Sequence, residues 1–291
     1  MSAAQETELF YFSGTGNSLL ATRELAGRLG APKITPIISC LSEDHLESKA
    51  ETIGIIFPAH ALTIPLAVRQ FIIRSNFPRA EYCFSLATRL GTEFYGHREI
   101  ARLLRKKGLT LGSNFTLNMY SNDSRHQGFV VPSTETLQRL KKTTASRIEG
   151  IAAVVKTRAA LPIMDSDVLS PTSKTKAGKM AIKTIVLAGM RLAAKTGGVQ
   201  YFYHDEKCNN CGICAKVCLS GKVKMTPSEP AWKRDVGCLM CFACLNYCPR
   251  HAVQIKSIPG VKSFTQSNGR YPHPFATLAD IMGQKSLEAL P

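Results

Sequence analysis

The stretch FYFSGTGNSLLATREL, Phe10 to Leu25, decides the fold of the first half of the chain. Apolar and aromatic residues from Leu9 to Phe12 run straight into Ser13-Gly14-Thr15-Gly16-Asn17-Ser18. A helical pattern follows, with Ala21, Leu25 and Leu29 on one face and Gly30 as its stop. The stretch reads as strand, tight loop, helix. A loop of small hydroxyl and glycine residues at a helix N-terminus suits an anion, because free backbone N–H groups and the helix dipole favour negative charge. It is not a P-loop, for the turn has no lysine, and Leu19 stands where the dinucleotide fingerprint needs its third glycine. Two readings remain open. The hydroxyls bind a phosphomonoester through neutral hydrogen bonds, or the glycines only let helix pack on strand.

Working outward, strands and helices alternate. KITPIIS (Lys33 to Ser39) reads as a strand, with Pro36 placing it at a sheet edge. TIGIIF (Thr52 to Phe57) and EYCFSLA (Glu81 to Ala87) are the continuous apolar runs of parallel strands covered on both faces. A helix is predicted from His97 to Lys107 and a fifth strand from Asn114 to Met119. An amphipathic helix is predicted from Thr134 to Lys156, with Leu137, Leu140, Ile148 and Ile151 inward. Five strands with the loop after the first fit a doubly wound parallel sheet.

The second half is organised by cysteine. Of ten cysteines, eight lie between Cys208 and Cys248. CNNCGICAKVC (Cys208 to Cys218) and CLMCFACLNYC (Cys238 to Cys248) share the spacing C-x2-C-x2-C-x3-C, each cysteine thirty residues after its counterpart. The segment is an internal duplication. Clustering of this kind argues for metal ligation rather than a disulfide scaffold, and three cysteines three residues apart do not make a tetrahedral zinc site from two separated knuckles. Cys40 and Cys83 stand alone on strand-like stretches and read as buried core thiols.

The remaining segments connect and cover. Ser170 to His204 carries six Lys or Arg and no acidic residue. Lys179, Lys183, Arg191 and Lys195 are expected as a solvated basic stripe, with Ile182, Ile185, Val186 and Met190 on the inward side. The length of this connector permits the cysteine half to dock on the sheet without fixing it there. QSNGRYPHPFATLADI, from Gln266 to Ile281, reads as a tail strapped across a surface.

These motifs resemble two known families at once. FSGTGNS (Phe12 to Ser18) is similar to the flavin mononucleotide (FMN) phosphate loop of flavodoxins. The resemblance implies an FMN site of Ser13, Gly14, Thr15, Gly16, Asn17 and Ser18. The isoalloxazine ring would lie between Pro58, Ala59 and His60 of one loop and Thr88, Arg89, Leu90 and Gly91 of another. The Tyr or Trp that usually flanks the ring is missing from both loops; Phe94 and Tyr95 stand just beyond. His60 also reads as a loop histidine with no cofactor contact. The cysteine runs resemble those of bacterial two-cluster ferredoxins, in which the fourth cysteine of each run ligates the other cluster. That implies one [4Fe–4S] cluster on Cys208, Cys211, Cys214 and Cys248, and a second on Cys238, Cys241, Cys244 and Cys218. Cys218 is followed by Leu219 where Cys248 is followed by the customary Pro249; the missing proline loosens a turn and removes no ligand.

The whole order resembles flavodoxin–ferredoxin fusion proteins of anaerobic microbes. It implies an α/β flavodoxin-like doubly wound parallel sheet over 1–160 and a basic helical connector over 161–198. A small α+β two-[4Fe–4S] ferredoxin domain over 199–258 and a C-terminal tail over 259–291 complete it. The implied function is intracellular electron transfer between FMN and the clusters, as a carrier or a converter between one- and two-electron donors. The alternatives are a ferredoxin-type carrier whose flavodoxin-like half lacks FMN and serves as a docking module, or an oxidoreductase with its own substrate beside the flavin. No acid, base or nucleophile constellation names a catalytic residue. The net charge of +16 falls to about +10 with both clusters and FMN bound. That balance favours redox partners with acidic docking surfaces, while the aromatic-and-basic platform of a nucleic-acid binder is missing. No secretory signal precedes the first strand, and the apolar run Thr184 to Met190 falls far short of a membrane span, so a cytoplasmic protein without a transmembrane segment is expected.

Overall fold

Strand β1 (Thr7–Tyr11) alternates as a strand covered on both faces must. Phe10 and the following Phe12 enter one core, and Leu9 and Tyr11 the other. The computed structural model describes residues 7–43, 46–165, 168–169, 171–195, 201–258 and 261–286, with 190–195 as backbone. After β1 come α1 (Asn17–Arg28), β2 (Lys33–Pro36), α2 (Ile37–Cys40), β3 (Leu46–Glu47) and β4 (Thr52–Pro58). Then follow α3 (Leu66–Arg74), β5 (Ser75–Asn76), β6 (Tyr82–Arg89), α4 (Gly96–Arg105), β7 (Leu111–Asn118) and α5 (Thr134–Lys156).

Five strands form one parallel sheet in the order β2-β1-β4-β6-β7, the flavodoxin-like doubly wound arrangement. The edge position of Pro36 holds. The strand read as far as Ser39 ends at Pro36, where pairing with Tyr11 stops, and Ile37 to Cys40 turn into a buried helix instead. The fifth strand begins at Leu111, three residues earlier than its apolar run suggests, because β6 offers pairing partners from Cys83 onward. Helix α5 spans the predicted range, capped by Ser133, whose side chain accepts from the Thr136 N–H. Ile148 and Ile151 are buried against the sheet, whereas Leu137 and Leu140 are half-buried beneath the tail. Cys40 and Cys83 are buried free thiols.

The second half contains α6 (Lys176–Lys195), β8 (Phe202–His204), α7 (Ile213–Lys216), β9 (Val223–Met225) and β10 (Pro230–Trp232). It ends with α8 (Ala243–Asn246), β11 (Val253–Ile255) and α9 (Leu278–Met282). Strand β8 pairs antiparallel with β11, and β9 with β10. The duplication is structural as well as sequential, since α8 and β11 stand thirty residues after α7 and β9. Left-handed backbone recurs at the same interval, at Asn210 and Met240, Gly212 and Phe242, and Gly221 and His251. Four of these six positions are non-glycine residues, Asn210, Met240, Phe242 and His251, of which Met240 and Phe242 are the least suited to that conformation.

Two expectations change. Lys179 and Lys183 do not form a solvated stripe: Lys179 pairs with the buried Glu93 at 3.0 Å, and Lys183 lies over the Tyr95 ring at 4.6 Å. Ile185, expected inward, is 71% exposed, because the cations take the face that meets the sheet domain. Ile182 and Val186 are half-buried, while the side chains of Met190, Arg191 and Lys195 fall outside the described residues. Nor are the halves loosely tethered. Val217, Leu219, Ala243 and Ile281 belong to the same apolar cluster as Phe10, Phe57 and Phe71 of the sheet. Asn246 donates to the Asn122 carbonyl at 3.1 Å, and Arg23 pairs with Asp280 at 2.5 Å. Among the described residues, no helix is long and apolar enough to cross a membrane.

Candidate functional site

The loop between β1 and α1 is buried and closed from in front by the chain's own tail. Gly16 caps α1 at φ 108°, a left-handed value that suits glycine, and a Cβ there would stand 2.4 Å from Ala276 and 2.7 Å from His273. On Gly14 a Cβ would stand 2.0 Å from the Cys241 carbonyl oxygen. The Gln284 side chain, fully buried, accepts from the Ser13 N–H at 3.0 Å and donates to the Ser13 carbonyl at 2.7 Å. The His273 N–H donates to the Thr15 carbonyl at 2.7 Å. The hydroxyls are engaged inside the protein too. Ser13 Oγ accepts from the Gly16 N–H, Thr15 Oγ1 from Asn122 Nδ2, and Ser18 Oγ shares a proton with Thr88 Oγ1. Asn17 Nδ2 donates to the Tyr120 carbonyl at 2.9 Å. His273, Ala276 and Gln284 are thus seated over the front of this loop.

The two stretches assigned to the flavin ring are also committed elsewhere. Pro58 ends β4, and the Ala59 N–H extends the sheet to the Thr88 carbonyl at 2.8 Å. His60 bridges to Thr63 through both backbone groups, and its ring meets the edge of Phe12 at 5.9 Å. Loss of water around the ring pulls its pKa down to about 4, and Arg125 adds to that against the pull of Asp123. The Arg89 guanidinium, 1% exposed, pairs with Asp165 and donates to Asn118 Oδ1 and the Thr92 carbonyl. It anchors the segment after α5 to the sheet. Leu90 is half exposed, and Gly91 accepts from the Leu169 N–H at 2.8 Å, with Leu169 packed where a Cβ would go. Phe94 is buried against Phe57 and His97, and Tyr95 lies under Lys183.

The two cysteine runs come together in the second half of the chain. Cys208, Cys211, Cys214 and Cys248 line one small hollow together with Pro230, Pro249 and Arg250. Burial, helped by negative charge on Cys248, Cys208 and Cys211, pushes the Cys214 thiol up to about 11. Burial pushes the Cys241 thiol up to about 12, with Cys238 and Cys218 as its charged neighbours. Cys244 is raised well above the ordinary thiol range by the same burial, and by Cys241, Cys238, Cys218 and Cys214. Burial thus opposes ionisation of Cys214, Cys241 and Cys244. Backbone N–H groups already reach three sulfurs: Ala252 to Cys248 at 3.2 Å, Val223 to Cys218 and Met240 to Cys238 at 3.4 Å. Among the described residues no three His, Cys, Asp or Glu side chains converge as a single-ion site. A four-iron cluster does not need such convergence, since each thiolate binds its own iron.

Sequence reasoning missed the tail's polar anchors, Gln284 and His273, and the organiser Arg270. Arg270 is 6% exposed and donates to the carbonyls of Leu245, Thr265, Asn268, Gly269 and Val253. The available signal was a polar segment with too many aromatic residues for a solvated end, Tyr271, His273 and Phe275.

No family model matches the chain, and no curated protein matches it in sequence. Solved structures resemble it at low identity. A flavodoxin from the domain Archaea is 17% identical, with a TM-score of 0.31, covering 52% of this chain and 98% of its own. The azoreductase of Bacillus anthracis str. Sterne is 11% identical with a TM-score of 0.35, covering 53% of this chain and 100% of its own. The Megasphaera elsdenii flavodoxin is 14% identical with a TM-score of 0.31, covering 48% and 98%. The flavodoxin-like fold rests on the sheet order itself.

Proposed function

We propose that the chain is an electron-transfer protein that holds two [4Fe–4S] clusters, with its flavodoxin-like half as the platform on which the cluster half is seated. The observation that carries this reading is the crossed gathering of eight cysteines at thirty-residue symmetry. Each cluster supplies one-electron chemistry. The chain's own groups supply the rest: buried thiols as ligands, N–H groups that temper charge on sulfur, and an apolar shell that limits water. Cys211, the exposed ligand, marks the side from which a partner exchanges electrons. The basic surface suits redox partners with acidic docking faces. Anaerobic purification should give about eight iron and eight labile sulfide per chain. Stoichiometric zinc without sulfide would refute the reading.

A second reading keeps FMN, favoured by the Gly14, Thr15 and Asn17 N–H groups, which have no acceptor among the described residues. It requires the segment from His273 to Gln284 to leave the loop. Titration of the full chain and of Gln284→Ala with FMN and riboflavin decides the matter. Binding of FMN, tightened by the substitution and absent for riboflavin, would support this second reading. No binding by either chain supports the platform.

A further inference from the structure

Helix α6 is built inside out. Its inward side carries cations: Lys179 pairs with Glu93 at 3.0 Å and Lys183 lies over the Tyr95 ring at 4.6 Å, with Ile182, Val186 and Leu187 half-buried beside them. Its outward side is apolar. Ala177, Met180, Ala181, Thr184, Ile185 and Ala188 recur at helical spacing, all are exposed, and none carries a charge. Met180 is 60% exposed and Ile185 71%. In the chain leading into the helix, Leu161, Met164 and Leu169 are exposed as well. Single apolar side chains are ordinary on a protein surface, whereas a stripe of them along one helix marks a face that something covers.

The charge around the stripe says what covers it. From Ser170 to His204 the chain has six Lys or Arg and no acidic residue. Lys174 and Lys176 are exposed where the stripe begins, and in sequence Arg191 and Lys195 continue its spacing after Ala188. The carboxylates that hold this segment to the sheet half, Glu93 and Asp165, are taken by Lys179 and Arg89. The matching surface is therefore apolar in the middle and anionic around it. A second copy of the chain is disfavoured, since each carries a formal charge of +16. A protein partner finds no aromatic anchor on the stripe, only small or flexible side chains. A bilayer needs no such anchor: its acyl boundary takes a shallow apolar stripe while anionic headgroups meet the lysines.

We propose that the outward face of α6 lays the chain on the surface of a bilayer rich in anionic lipid, with Met180 and Ile185 in the acyl boundary and Lys174 and Lys176 among the headgroups. The helix lies in the plane of the surface and does not span it, in keeping with its hydropathy. Lys179 and Lys183 keep it seated on the sheet half at the same time, so the contact asks for no rearrangement. Neither the clusters nor FMN is required for this contact, and its failure would leave the cofactor reading untouched.

The test is flotation of the full chain, purified anaerobically, with vesicles of equal parts phosphatidylcholine and phosphatidylglycerol, and with vesicles of phosphatidylcholine alone. The chain should float with the first and not with the second. Met180→Ser combined with Ile185→Ser, at exposed positions that leave the fold intact, should weaken the association by roughly tenfold or more. Lys174→Gln and Lys176→Gln should each weaken it by about fivefold. Binding that ignores the Met180 and Ile185 changes would be the general attraction of a basic protein, and would overturn the proposal. Equal binding to the uncharged vesicles, or no flotation with either, would overturn it too. Retention on soluble polyglutamate in place of vesicles, abolished by the same two changes, would give the face to an acidic protein instead.

Discussion

The two halves are held together by different physics. The sheet half buries Phe10, Phe12, Phe57, Phe71 and Phe84 completely or nearly so and has a core on each face. The cysteine half has strands of three residues, helices of four, and a core in which Cys214, Cys218 and Cys244 stand beside Phe202, Leu245 and Val253. Short elements around desolvated thiols do not bury enough apolar surface to fold on their own strength, and ligation must supply the difference. With the clusters proposed above, the sheet half would lend rigidity to a region whose own stability comes from iron. The tail and the shared apolar seam transmit it.

Stripping iron should break this comparison most visibly. Anaerobic chelation is expected to remove amide protection from β8 to β11 while β1, β4 and β6 keep theirs, since structural metal contributes on the order of 10 kcal/mol of folding free energy. Retained protection in β8 and β11 without iron would show that the cysteine half is self-sufficient.

The seam itself is next. Ile281 is fully buried in the cluster that joins the halves, so Ile281→Ala should cost about 2–5 kcal/mol in urea denaturation. If the cost falls below about 1 kcal/mol, the tail is only resting on the sheet.

Acid should sharpen the contrast further. Burial lowers the pKa of His97, in the sheet half, to about 3 and that of His273, in the tail, to about 4. Both are neutral when folded, whereas unfolded histidines bind protons below about 6.5. The unfolded chain thus binds more protons, and stability is lost as pH falls from about 6.5 toward 4, by at most about 1.4 kcal/mol per histidine per pH unit. His273→Gln should flatten the pH dependence of tail protection in hydrogen exchange, and an unchanged slope would mean that His273 is not the group that titrates.

The smallest effect is expected on α6. Ile185 is exposed and Lys183 makes a surface cation–π contact, so Ile185→Ser should stay within about 0.5 kcal/mol and Lys183→Gln within about 1 kcal/mol. A larger loss for Ile185→Ser would mean that something covers this face.

These contrasts also explain what the sequence makes legible. The parallel strands are readable because Thr52 to Phe57 and Glu81 to Ala87 are dominated by apolar residues, and the cysteine duplication because its spacing repeats without change after thirty residues. The end of β2 is not readable, since Ile37 and Ile38 suit a strand or a buried turn equally well. The role of Arg89 is hidden because its partner, Asp165, lies seventy-six residues away. The closure of the loop is hidden for the same reason, and more strongly, because Gln284 reaches Ser13 across 271 residues by a single amide with no periodic trace.

The central claim, two clusters seated on a flavodoxin-like platform, is tested most directly by counting electrons. An anaerobic titration of the freshly purified full chain with dithionite should take up about two electrons per chain, one for each cluster. Uptake of about four, with the bleaching and return of a flavin spectrum, would contradict the platform and restore FMN to the loop. Uptake of none would contradict the clusters themselves.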